Sequence, residues 1–165
     1  SGRLITGDTM HVFVVHAPSR SGGEKFTRPY RLHVAEKLCQ AIDSVRGFSK
    51  DALILVMGDF NDYHDSYSLK LITGNGMVNV SKGARGKNGA KGTYRYRGEW
   101  GSLDQMLVSA TLAEKVSGCR IGDMKFLLED DKKYGGVKPK RFYQGPRYNG
   151  GFSDHLPLIL KMNFQ

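Results

Sequence analysis

The chain has 165 residues, 39% hydrophobic and 25% charged, a balance that fits one soluble globular domain with a modest core. It carries no apolar run approaching the ~20 residues of a membrane span. Twenty-five Lys and Arg against 16 Asp and Glu give a formal charge of +9, which favours polyanionic partners without choosing among nucleic acid, phospholipid headgroups and phosphorylated sugars. Cys39 and Cys119 sit in no CxxC or Cys/His pattern, so the sequence offers no structural zinc site.

Met10–Val15 reads as a strand buried on both faces, because Val12, Phe13, Val14 and Val15 are consecutive. A Pro/Ser/Gly loop follows. Thr27 is placed to cap a helix with Pro29 in its first turn. The apolar stripe Val34, Leu38, Ala41, Ile42 and Val45 carries that helix to Gly47 and makes Cys39 a core residue. Leu53–Met57 is a second buried strand. Asp65 is placed to cap a short helix through Leu69, Leu71 and Ile72 to Gly74. Strand–helix–strand–helix order argues for an α/β fold, a mixed sheet with helices on one face.

The second half differs in texture. Residues 82–98 carry six Lys/Arg and no acid, with Gly83, Gly86, Gly89 and Gly92 among them, and residues 132–148 repeat that excess with Tyr134, Phe142, Tyr143 and Tyr148 interspersed. These stretches are either disordered solvated loops or substrate-facing loops, and the second is favoured, since Lys and Arg grip phosphates and Tyr stacks on bases. Thr93–Arg97, Leu103–Ser109 and Leu156–Phe164 read as strands, and Ala110–Val116 as a short helix.

Polar groups interrupt four otherwise apolar elements. The first strand ends in VVHAPSR, with His16 and Arg20. The second ends in GDFN, with Asp59 and Asn61. Asp104 opens SLDQMLVS, and Asp154 and His155 lie in SDHLP. Functional groups of α/β sheets gather beyond the carboxyl ends of strands. Taken singly, an Asp or Asn there is also a common turn former.

These four motifs, in this order, resemble those of the endonuclease/exonuclease/phosphatase superfamily, the DNase-like fold. The resemblance implies hydrolysis of a phosphate ester by in-line attack of an activated water. It implies that Asp59 orients and deprotonates the water, and that Asn61 holds Asp59 and a phosphoryl oxygen. His155 would stabilise charge developing on phosphorus, with Asp104 fixing its tautomer. His16 would donate to a non-bridging oxygen, Arg20 would bind phosphate, and Asp154 would help hold Mg²⁺ or Mn²⁺. The family's fold is a four-layer α/β sandwich whose first half supplies the principal metal-binding Glu. No residue of this chain matches that Glu, so residues 1–165 are read as a single C-terminal part of the domain, with the N-terminal half absent. This fragment is expected to be inactive or weakly active.

The sheet face left open by that missing half is expected to be buried against a second copy, the chain's own C-terminal segments, or aggregates, with self-association favoured. A phosphate ester, nucleic acid included, is the expected partner. The alternative function is a non-catalytic nucleic-acid or phosphate-binding module. Asp62 is read as a turn or cap residue, His11, His33 and His64 as surface groups, and Trp100 as either a wall of the site or a packing residue.

Overall fold

The computed structural model describes residues 1–164 as a mixed α/β fold. In chain order its elements are β1 (Gly2–Arg3), β2 (Thr9–His16), α1 (Glu24–Phe48), β3 (Leu53–Asp59), α2 (Tyr67–Gly74) and β4 (Met77–Asn79). Then come β5 (Tyr94–Tyr96), β6 (Glu99–Gly101), β7 (Asp104–Ser109), α3 (Ala110–Ala113) and β8 (Val116–Ile121). A 3₁₀ turn at Lys125–Leu127 leads to β9 (Leu128–Asp130), β10 (Val137–Pro139), β11 (Tyr143–Gln144), β12 (Arg147–Tyr148) and β13 (Leu158–Met162).

The central sheet has the order β1-β2-β3-β7-β4. β2 and β3 are parallel, with α1 as the crossover, while β3 and β7 are antiparallel. Side chains alternate across this sheet. One face presents Phe13, Val15, Ile54, Val56 and Leu107 to Ala35, Leu38 and Ile42 of α1 and Leu69 and Ile72 of α2. Cys39 packs at the edge of this core. On the other face Leu53, Leu55 and Val108 pack with Leu112 against Val116, Leu160 and Met162, which come from the antiparallel pair β8–β13. A smaller core, Ala84, Ala90, Ile121 and Leu156, lies under the glycine-rich loop after β4. Among the described residues no helix is long and apolar enough to cross a membrane.

Several expectations need correction. Helix α1 starts at Glu24, with Gly23 as its N-cap. Thr27 is inside the helix, where its hydroxyl donates to the Gly23 carbonyl at 3.0 Å and accepts from Arg31 Nη1 at 2.8 Å. Pro29 therefore falls beyond the first turn and removes one i→i−4 bond there. The cap of α2 is Ser66, not Asp65. β2 is not buried on both faces, because Val12 is 38% and Val14 74% exposed. The β8–β13 pair lies over β3 and β7 and reaches Met10 at the start of β2, but leaves Val12 and Val14 exposed. The expected cover from the chain's own C-terminal segments is thus present over part of the face only.

Candidate active site

Strand register assembles the site. His16 closes β2, Asp59 closes β3 and Asp104 opens β7. His16 pairs with Asp59 in the parallel ladder, and Asp59 pairs with Asp104 in the antiparallel one. Three motifs distant in sequence thus form one row across the sheet edge. His155 joins through an isolated bridge to Tyr94, and its ring lies 4.8 Å from the Tyr94 ring, centroid to centroid.

The local backbone of GDFN follows from close packing. Gly58 has φ 135°, and a Cβ there would sit 2.0 Å from the Val15 carbonyl oxygen. Only glycine lets β2 and β3 approach this closely. Asn61 adopts φ 49°, a left-handed conformation that Asn tolerates better than most residues. Its backbone N–H donates to Asp59 Oδ1 at 2.8 Å. Its side-chain amide donates to Asp59 Oδ2 and to the Ala17 carbonyl, both at 3.0 Å. Asp59 is therefore a turn former and a held carboxylate at once. Both amide hydrogens of Asn61 are occupied, so contact with a phosphoryl oxygen requires releasing one.

His155 Nδ1 lies 2.7 Å from Asp104 Oδ2. This contact assigns the proton to Nδ1 and leaves Nε2 available. Burial disfavours the imidazolium, but the Asp104 hydrogen bond, with the Asp104, Asp59 and Asp154 charges, outweighs it and raises the His155 pKa above its ordinary value. Burial also raises the Asp59 pKa, opposed by the Asn61 N–H and assisted by the Asp104 charge. His16 Nε2 is 3.8 Å from Asp59 Oδ2, and the His16 side chain is otherwise exposed.

These residues open into a cavity of about 860 Å³. Arg20 and Asp154 line it, and aromatic walls come from Tyr63, Tyr94, Tyr96 and Trp100. Trp100 is thus a wall of the site. The ligand atoms of Asp59, Asp104 and His155 lie within 4.8 Å of one another, close enough to hold a cation. Asp154 is exposed at the cavity rim and stands outside that group. His64 is exposed and also outside it, His11 contacts Ser1 Oγ at 3.0 Å, and His33 faces Glu36 at 3.5 Å.

A family model described as endonuclease/exonuclease/phosphatase family matches residues 1–164. The chain belongs to this family. It is a family of hydrolases, generally dependent on divalent metals. Solved structures agree in fold. Mannosyl-6-phosphatase of Bacteroides thetaiotaomicron is 19% identical with a TM-score of 0.63, over 96% of this chain and 53% of that one. Beta toxin of Staphylococcus aureus is 16% identical with a TM-score of 0.63, over 95% and 54%. A truncated TDP2 of Caenorhabditis elegans is 17% identical with a TM-score of 0.54, over 94% and 54%. The chain spans about half the length of each. None of the curated proteins matches it in sequence.

Around this candidate site lies a buried charge network that the sequence alone did not reveal. Asp62 is not a simple turn residue. Its side chain is 2% exposed and faces Arg20 Nη1 at 3.1 Å and Arg31 Nε at 3.0 Å. It also accepts from Ser68 Oγ at 2.6 Å. The Arg31 N–H is not aimed at the Asp62 oxygen, so that pair acts by charge rather than as a hydrogen bond. Arg31 Nη1 also reaches the carbonyl of Ser19 at 3.4 Å. Gln105, buried beside Asp104, donates to the Asp62 carbonyl at 3.2 Å. A Gln inside the apolar run of SLDQMLVS was the one available signal of this network. Arg31 gave none, since an Arg on a helix ordinarily faces water.

Proposed function

We propose that the chain carries the catalytic half-site of a metal-dependent phosphoesterase, a C-terminal part of a larger domain. The observation that carries this reading is the row His16–Asp59–Asp104, completed by His155. Four separated motifs meet at one cavity mouth, which turn formation alone does not require. The larger domain is supported by the open strip at Val12 and Val14, and by the half-length match to solved structures. Self-association through that strip is the corresponding proposal for the chain alone.

In this reading a phosphate ester enters the cavity with its charge facing His16, Arg20 and His155. Asp59, made more basic by burial, accepts a proton from the attacking water. The water oxygen bonds to phosphorus as the ester bond opposite breaks. His155, held cationic by Asp104, offsets charge on the phosphoryl group and protonates the leaving oxygen. His16 donates to a non-bridging oxygen. Asn61 keeps Asp59 aligned. The site is rich in carboxylate, which suits a hard divalent cation: Asp154 at the rim would help hold Mg²⁺ or Mn²⁺ beside the cluster of Asp59, Asp104 and His155. When bound, such an ion supplies Lewis-acid neutralisation of phosphoryl charge.

One observation favours the second reading, a non-catalytic phosphate- or nucleic-acid-binding module. Both Asp59 oxygens already accept from Asn61, and Asp104 already partners His155, so the cluster satisfies itself without a ligand. The test is Mg²⁺-dependent hydrolysis of bis(p-nitrophenyl) phosphate by the longest form of the protein that contains the chain. Asp59→Ala and His155→Ala should each cost about 10²–10⁴ in rate while circular dichroism stays unchanged. Wild-type turnover in His155→Ala removes the catalytic reading. Phosphate binding without any turnover selects the module.

A further inference from the structure

The candidate active-site cavity has a neighbour. Glu99 and Trp100 line both it and a second cavity of about 550 Å³, so one thin wall separates the two. The second cavity presents three cations, Arg85, Lys91 and Arg95, against the single carboxylate Glu99. Arg85 and Lys91 are exposed, and neither has a carboxylate within ion-pair distance among the described residues. Their charges are free for a ligand.

The cavity is built rather than incidental. Arg95 is pinned by donating to the carbonyls of Gly98 at 3.0 Å, Gly135 at 2.9 Å and Val137. It also pairs with Asp131 at 3.6 Å. The loop carrying Arg85 is anchored on Asp123, which is 1% exposed. The Asp123 carboxylate accepts backbone N–H groups from Lys87 at 2.8 Å, Asn88 at 2.5 Å and Ala90 at 3.3 Å. Gly86 leaves room for it, since a Cβ there would lie 2.1 Å from Asp123 Oδ2. Opposite, Gly135 and Gly136 have φ of 73° and 70° and offer bare backbone instead of side chains. The unpaired guanidinium of Arg85 and ammonium of Lys91 in a cavity of this size form an environment for a phosphate.

We infer that this cavity is a second phosphate subsite, taking a second phosphate borne by the same substrate whose first phosphate occupies the neighbouring cavity. The inference rests on the phosphate-ester reading of that neighbour. A single phosphate fills one cavity only, whereas a ligand with two spans the Glu99–Trp100 wall. Such a ligand is either a nucleic-acid strand, through its next backbone phosphate, or a small molecule with two phosphates.

Trp100 is the chain's single tryptophan, so its fluorescence reports both cavities. The titration uses four probes: a thymidine dinucleotide with one internucleotide phosphate, the trinucleotide with two, a hexose monophosphate and a hexose bisphosphate. The two-phosphate member of one pair should bind about ten-fold tighter than its one-phosphate partner. The double variant Arg85→Gln/Lys91→Gln should erase that gain and leave one-phosphate binding unchanged. Lys37→Gln/Lys70→Gln, which removes equal charge from α1 and α2, should keep it. The pair showing the gain identifies the source of the second phosphate. Equal affinities within both pairs, no binding of either two-phosphate probe, or a gain that survives Arg85→Gln/Lys91→Gln overturns the subsite. The two readings are separated by following hydrolysis in the longest form of the protein that contains the chain: the gain alone decides the subsite, and turnover in that form alone decides catalysis.

Discussion

The two faces of the central sheet are built from the same strands and differ in what covers them. On the helix side Ile54, Val56 and Leu107 are completely buried beneath α1 and α2. On the other side Leu55 and Val108 are covered by β8–β13, while Val12 and Val14 one strand away lie open. The site row sits at the end of this second, partly covered face, because His16, Asp59 and Asp104 continue the alternation of Val14, Met57 and Met106. One face therefore carries the stability of the chain, and the other trades complete burial for an accessible row of polar groups.

This contrast makes graded predictions. Asp62→Ala should have the largest effect on stability, about 3–5 kcal/mol, because it strands the fully buried Arg31 without its nearest carboxylate. Chemical denaturation measures it, and a loss below about 1 kcal/mol would show that Glu24, 3.6 Å from Arg31, suffices alone. Leu107→Ala on the closed face should cost about 2–5 kcal/mol by leaving a cavity.

Asp104→Asn should cost less, about 1.5–3 kcal/mol, the value of a charge-assisted hydrogen bond. Its signature is pH dependence. The folded His155 pKa lies above its unfolded value, so the pair's contribution is complete below about pH 6.5 and fades as pH rises through the raised value. The variant's deficit should thus be greater at about pH 6 than at about pH 9. In an active form, the alkaline limb of the rate profile should move to lower pH. A deficit that does not vary with pH would mean that His155 is neutral throughout.

Val14→Thr on the open face should change stability by less than about 0.5 kcal/mol. A much larger loss would show that the strip is covered in solution, and sedimentation would then show whether a second copy covers it.

Much of this was legible from sequence where the signal is local. The apolar runs gave β2, β3 and β7, and the stripe Leu38–Ile42 gave the buried side of α1. The residues of the site motifs line one cavity, with Asp104 held against His155 behind them. The misses depend on partners distant in sequence. β8 carries Ser117, Gly118 and Arg120 and shows no clear apolar pattern, and it pairs with β13 from a distant part of the chain. Four successive apolar residues in β2 suggested two buried faces, but cover is decided by where the β8–β13 pair lies. Asp62 and Arg31 look like surface charges until the fold pairs them.

The hydrogen bond between Asp104 and His155 joins residues 51 positions apart, and His16 and Asp59 meet only through a parallel crossover. No short segment of the chain contains a usable fragment of the row. Closing these long loops must precede any reward from the site, so the row is expected to be among the late events of folding. The same dependence runs in reverse at equilibrium. A ligand that grips all four segments favours only the fully assembled chain, so its binding energy appears as resistance of the whole chain to unfolding rather than as local tightening.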